Sequence, residues 1–475
     1  MMTARLYKVL FVLPLMVGVL GNGRARGKVI DDGPQRLSQL SSIGESLRNA
    51  GQRPLHILYV HGIGATGAGG SQTFQKAICG FLKDCTAPAK AAARDYADSG
   101  EFAKGVDPPA FAYMGRPVWR SKEEWSASDP FVDHYVLRRS HGGPIVVDEI
   151  NWWPLVFPLK CRAIMTGDTR LTGPNAPLLD LCSQPIQMDP SDSGRFRAYT
   201  WITPQQAAKL ETARHQGALF NRWLKTAILD WGFSDAMMAV GSMRDLFREG
   251  MRQLFLKSVR FSADGLASDD WELQLRDPRG IDREFIVVSH SLGSYLVFST
   301  LNMDRQDAAP QNAPARSKSG TAAEDAAAQY ILERTSLIYF FANQVPLLEL
   351  ANLQGPKAAG LPPGETSTPD AVTGAFNMLM ERWKNLRETF ARRRGGGEES
   401  KLPQVIAWSD PSDLLTWHVP AMQGLMITNL YVRNTGWHWI IANPAAAHAD
   451  YATNKEVLRI MFGPKVSAAK GKARE

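Results

Sequence analysis

Phe285–Ser294 reads FIVVSHSLGS, an apolar run that enters Ser289-His290-Ser291-Leu292-Gly293, with the helix-forming stretch Leu292–Leu301 behind it. Strand, serine, helix is the setting in which a tight turn lifts a serine hydroxyl clear of the sheet as a nucleophile. Such a turn is strained, and the residues two positions either side must be small for strand and helix to approach. Gly293 meets the downstream demand. Ser289 stands upstream where glycine is usual, a departure small enough to fit. Ser291 is therefore the candidate nucleophile. A second apolar run, His56–Val60, ends in His61-Gly62-Ile63-Gly64. A glycine-shaped loop after a strand presents backbone N–H groups that can stabilise the oxyanion of an acyl-transfer intermediate. The N–H groups of Ile63 and Leu292 are the expected pair. No G-K-[ST] follows Gly64, which weakens the P-loop reading of the same loop.

With His61–Gly64, Ser289–Gly293 and two C-terminal segments, the chain resembles the α/β-hydrolase superfamily, on its esterase and lipase side. The resemblance covers about residues 55–463 and implies a serine nucleophile, an acid and a histidine in that chain order. Of nine histidines, His418, His438 and His448 follow the serine. Asn443–Tyr451 looks like the family's final loop, which favours His448; His438 lies in the bulky Trp437-His438-Trp439 and reads as a packed residue. The acid is expected after the strand Val405–Trp408, in Ser409-Asp410-Pro411-Ser412-Asp413-Leu414. Asp413 is favoured, because Asp410 is placed to start the turn at Pro411 by bonding its own backbone. The implied mechanism has Ser291 attack an acyl carbon, His448 carry the proton and Asp413 hold the imidazole tautomer. The substrate is then a small-molecule or lipid carboxylic ester, with no metal or organic cofactor. An acyltransferase or amidase uses the same triad, and a binding protein on a hydrolase scaffold that has lost catalysis is the reading outside the enzyme class.

These residues need a mainly parallel sheet with helices on both faces, and short apolar strands alternating with helices indicate that α/β architecture. Strands are expected at His56–Val60, from Ile145, and at Phe285–Val288, Ser336–Asn343, Val405–Trp408 and Leu430–Arg433. Helices are expected at Gln72–Leu82, across Thr203–Lys257, and at Leu292–Leu301, Ala371–Arg394 and Val457–Phe462. Residues 86–145 read as irregular. The stretch 86–282 is expected to be in part a large insertion or cap on a single domain spanning residues 24–475. Arg305–Ala328, rich in Ala, Ser and Pro, reads as a surface loop. Phe376, Leu379, Trp383, Leu386 and Phe390 form one apolar stripe on a helix that also bears basic residues. A packed helix is the plainer reading of it, and a lid meeting lipid the sharper one. Trp152 and Trp153 can be read as lining an acyl pocket or, more plainly, as core aromatics.

The 475 residues, 44% hydrophobic and 21% charged, fit a globular chain and exclude a multi-span membrane protein. The formal charge of +7 invites a nucleic-acid partner. Its location removes most of that signal. Arg5 and Lys8 supply two charges, and the basic tail 464–475 supplies three net, so the body is nearly balanced and offers no broad phosphate-binding face. Val9–Leu20, apolar and preceded by Arg5 and Lys8, has the length of a signal-peptide core, which predicts export, periplasmic or secreted, with cleavage near residue 23. Four cysteines in an exported chain suggest two disulfides, most simply Cys79–Cys85 and Cys161–Cys182.

Overall fold

The computed structural model describes residues 30–31, 40–63, 69–96, 130–155, 233–241, 244–261, 284–302, 318–349, 370–393, 404–419, 426–434 and 444–463. Its strands are β1 (Ile30–Asp31), β2 (Leu55–Val60), β3 (Ala93–Tyr96), β4 (Phe131–Leu137), β5 (Ile145–Asn151), β6 (Glu284–His290), β7 (Thr335–Phe341), β8 (Gln404–Ser409) and β9 (Met426–Tyr431). They form one nine-stranded sheet in the order β1-β9-β8-β7-β6-β2-β5-β4-β3. The six strands from β9 to β5 run parallel. Antiparallel pairs, β1 with β9 and β5 with β4 with β3, complete the two edges.

The parallel strands are buried along almost all their length because both faces are covered, even where β5 carries Asp148, Glu149 and Asn151. On one face Leu58, Val60, Ile150, Phe285, Val287 and Phe340 pack against four helices: α4 (Arg244–Arg260), α5 (Leu292–Leu301), α6 (Lys318–Arg334) and α8 (Asp370–Arg393). On the other, Ile57, Tyr59, Val147, Ile286, Val288 and Ile406 pack against α1 (Ile43–Ala50), α2 (Gln72–Leu82) and α10 (Lys455–Phe462). The short helices α3 (Ser234–Val240), α7 (Val345–Glu349) and α9 (Pro444–Ala449) stand at connections. The architecture is a mixed α/β sheet between two helical layers.

Three expectations are revised. Residues 86–145 are not irregular throughout: β3 and β4 fall within them, and β5, which starts at Ile145, lies directly beside β2 in the sheet. Arg305–Ala328 has the composition of a loop, yet α6 starts at Lys318. Its alanines are strong helix formers and outweigh the loop-like composition around them. The last parallel strand is Met426–Tyr431 rather than Leu430–Arg433. The helix expected across Thr203–Lys257 is described from Ser234 on, as α3 and α4. The stripe on α8 is packed where its side chains are described: Leu379 and Trp383 are buried, and the Trp383 indole donates to the Thr335 carbonyl at 2.8 Å. Cys79 and Cys85 form a disulfide. Cys161, Cys182, Gly64, His438 and the two terminal segments lie outside the described residues. Among the described residues no helix is long and apolar enough to cross a membrane.

Candidate active site

The β6 strand ends at His290, and α5 starts at Leu292, so Ser291 alone makes the turn. Its backbone stands at φ 54°, ψ −125°, a left-handed conformation that costs a non-glycine residue on the order of 1–3 kcal/mol. The turn is held by the Ser291 N–H, which donates to the Phe341 carbonyl at the end of β7 at 2.8 Å. Two glycines make the turn sterically feasible. A Cβ on Gly293 would stand 2.5 Å from the His61 carbonyl oxygen, and one on Gly62 would stand 2.7 Å from Ser291 Cβ. The unusual Ser289 is fully buried, and its hydroxyl is used: it donates to Ser294 Oγ at 3.1 Å, with the Tyr339 carbonyl at 3.4 Å.

The two expected oxyanion donors fall on either side of this contact. Leu292 is the first residue of α5, where helix geometry leaves the N–H without an intrahelical partner. Ile63 is the third residue past β2, partly buried against the core. Both ends of the connection that carries Ile63 are tied to β5 and the residue after it. At its start the Trp152 indole donates to the His61 carbonyl at 3.1 Å, and the two rings stack at 5.3 Å. At its end the buried Glu149 carboxylate accepts the N–H groups of Gly69, Gly70 and Ser71 at 2.9, 3.0 and 2.8 Å, together with the Ser71 hydroxyl. Sequence reasoning has no signal for Glu149, because it lies 78 residues or more from its partners. Trp152 is no pocket wall but a fully buried support of His61.

The histidine comes from α9, after β9, and the acid from the loop after β8. His448 Nδ1 lies 2.9 Å from both carboxylate oxygens of Asp413. An ionised carboxylate only accepts, so Nδ1 carries the proton and Nε2 is the basic lone pair. That Nε2 is buried and has no hydrogen-bond partner among the described residues. Asp413 is anchored by the Leu415 N–H at 3.0 Å and the Tyr451 hydroxyl at 3.4 Å. Burial and the neighbouring Asp413 charge raise the Tyr451 pKa well above its ordinary value, so its hydroxyl stays a donor. Asp410 has another task. It accepts the N–H groups of Ser412 and Asn434 at 2.8 and 2.5 Å, organising the loop rather than meeting the imidazole. His418 is exposed on the same loop.

His290, next to the serine, donates Nε2–H to the His448 carbonyl at 2.6 Å. Burial, reinforced by the His448 charge nearby, lowers its pKa to about 3. Burial lowers His61 to about 4. Both rings are therefore neutral at neutral pH and put no positive charge against His448. One further side chain reaches the serine. The buried Gln344, beyond β7, donates from Nε2 to Ser291 Oγ at 2.9 Å. No motif points to it. Among the described residues no His, Cys, Asp and Glu side chains cluster as a metal-binding set.

The arrangement brings a strained serine, an Asp-oriented imidazole and two helix- or loop-borne amides to the C-terminal ends of parallel strands, where open α/β sheets bind ligands. Comparison with known protein families, with curated proteins and with solved structures gives no match.

Proposed function

We propose that the protein is a serine hydrolase of carboxylic esters built on the α/β-hydrolase plan, with Ser291, His448 and Asp413 as its triad. The observation that carries this reading is the left-handed backbone of Ser291 at the β6–α5 turn, with the buried, unpartnered Nε2 of a His448 oriented by Asp413 in the same site. A strained residue and a buried basic atom both cost stability, and catalysis is the return that accounts for them together. The strand order and the serine–aspartate–histidine sequence of the three residues support the same family.

In this mechanism His448 Nε2 takes the Ser291 hydroxyl proton as Oγ bonds to the acyl carbon. The carbonyl π pair moves onto oxygen, facing the N–H groups of Ile63 and Leu292. Collapse expels the alkoxide leaving group, which takes the proton from His448. Water then repeats the sequence and releases the acid. The Cys79–Cys85 bond suits an oxidising compartment, which supports export to the periplasm or medium.

A fluorophosphonate probe tests the reading. Wild type is expected to be labelled at Ser291, and Ser291→Ala to remain unlabelled. An unlabelled but folded wild type would refute it. A p-nitrophenyl ester series of increasing chain length then separates an esterase from a lipase.

A further inference from the structure

Two of the three described non-glycine residues with positive φ sit side by side at the ends of adjacent parallel strands. They are Ser291 after β6 and Ala342, at φ 50°, after β7; the third, Lys83, is the C-cap of α2. Helix caps use that conformation routinely. Ala342 ends a strand and has no such excuse.

The strain at Ala342 redirects the chain, and the residues after it are held tightly. The Ala342 N–H donates to the Trp408 carbonyl at 3.1 Å. Asn343 is clamped to the loop that carries Asp413: its carbonyl accepts the Trp417 N–H at 2.8 Å and its Nδ2 donates to the Trp417 carbonyl at 3.0 Å. Its Oδ1 accepts the Val345 N–H at 3.1 Å, starting α7. The residue so fixed between serine and acid loop is Gln344, which spends its side-chain donor on Ser291 Oγ.

We infer that Gln344 is a further catalytic residue, a fixed donor to the nucleophile oxygen itself, distinct from the two amides that face the substrate carbonyl. The inference rests on the reading of Ser291 as nucleophile. A serine oxygen has one proton to give and two lone pairs. The Gln344 N–H occupies one lone pair and leaves the proton for His448 Nε2. When that proton moves, the O–H electron pair stays on Oγ, and the Gln344 hydrogen bond strengthens as charge develops there. The amide itself gives up no proton. The same donor favours departure of Oγ in deacylation, when Oγ leaves with its bonding pair and recovers the proton from His448. A carboxylate at this position would act oppositely, accepting from the hydroxyl and opposing charge on it.

The test is the rate of fluorophosphonate labelling, which needs no knowledge of the natural substrate. Gln344→Leu is expected to slow labelling at Ser291 by roughly 10- to 100-fold, the worth of a hydrogen bond to a group gaining charge, at an unchanged melting temperature. Gln344→Met, near the native length, provides the same measurement if the leucine variant does not fold. Gln344→Glu is expected to approach the wild-type rate at low pH, where its carboxyl is protonated and can donate, and to fall progressively below it as pH rises. A structural role would not produce that pH dependence. Labelling of Gln344→Leu or Gln344→Met at or above the wild-type rate would overturn the inference while leaving the serine-hydrolase reading intact. An unlabelled wild type would instead remove the reading beneath it.

Discussion

Two carboxylate–imidazole arrangements stand out among the described residues, and they differ in everything except chemistry. Asp413, on the loop after β8, and His448, on α9, lie beyond the C-terminal ends of the strands, with side-chain exposures of 1% and 15%. Asp148 lies inside the sheet on β5, bonded to His134 Nδ1 of β4 at 2.6 Å and approached by His56 Nδ1 of β2 at 3.4 Å. Asp148, His134 and His56 are all completely buried, and the His134 ring stacks on Phe261 with centroids 3.9 Å apart. The first pair stands beside the turn that carries Ser291, where His290 donates to the His448 carbonyl at 2.6 Å. The second bonds three neighbouring strands across a distance where their backbones already pair. A carboxylate beside an imidazole is thus no active site by itself. Its place relative to the strand ends, and a nucleophile within reach, make the difference.

Exchanging asparagine for each aspartate should separate the two roles most sharply. Asp413→Asn leaves an amide that can stabilise the wrong imidazole tautomer, and labelling or ester turnover is expected to fall by about 10⁴-fold. Asp148→Asn is expected to leave the labelling rate per folded molecule unchanged. It should instead lower stability in denaturant unfolding by about 3–5 kcal/mol, the usual cost of removing one partner of a buried pair. Comparable losses of labelling in both variants would erase the distinction between the two arrangements.

Glu149 sits one residue from Asp148 but points its carboxylate to the connection that carries Ile63. Glu149→Gln presents an amide N–H to a cluster of N–H donors. It should cost about 1–3 kcal/mol of stability and, unlike Asp148→Asn, should also slow labelling. Intact labelling in Glu149→Gln would make it a purely structural residue, like its neighbour.

The last effect is one of pH. Burial alone would raise the Asp148 carboxyl, but the charge and hydrogen bond of His134, with those of His56, outweigh it and bring the pKa from 3.8 down to about 2. A depressed carboxyl stabilises fully above 3.8, and that contribution drains away as the pH falls towards 2. It amounts to about 2 kcal/mol. The melting temperature of wild type should drop over that interval, and Asp148→Asn should show a flatter acid limb. An identical acid limb in both proteins would assign the acid sensitivity elsewhere.

How much of the molecule is legible in the sequence depends on how local each signal is. The serine turn, its helix and the two glycines are encoded within a few residues, so their element boundaries agree closely with the structure: the helix expected at Leu292–Leu301 is α5, with the same ends. Chain order points to Asp413 and His448, and the structure brings their side chains together while turning Asp410 to backbone amides. Glu149, Gln344 and the His56–Asp148–His134 group are not legible. Each depends on which strand lies beside which, and β5 enters beside β2 from a stretch whose composition suggests an insertion. The α6 helix is hidden for a different reason: Ala, Ser and Pro together read as loop, although the alanines alone favour helix.

The close approach at Gly62 has a dynamic consequence. With no room for even a methyl group between that residue and Ser291 Cβ, the backbone on either side of the nucleophile behaves as a single solid block. Aiming the hydroxyl proton at His448 while Oγ stays on the Gln344 amide is therefore a rotation about one bond, Cβ–Oγ. The serine works with a single moving part, its hydroxyl proton.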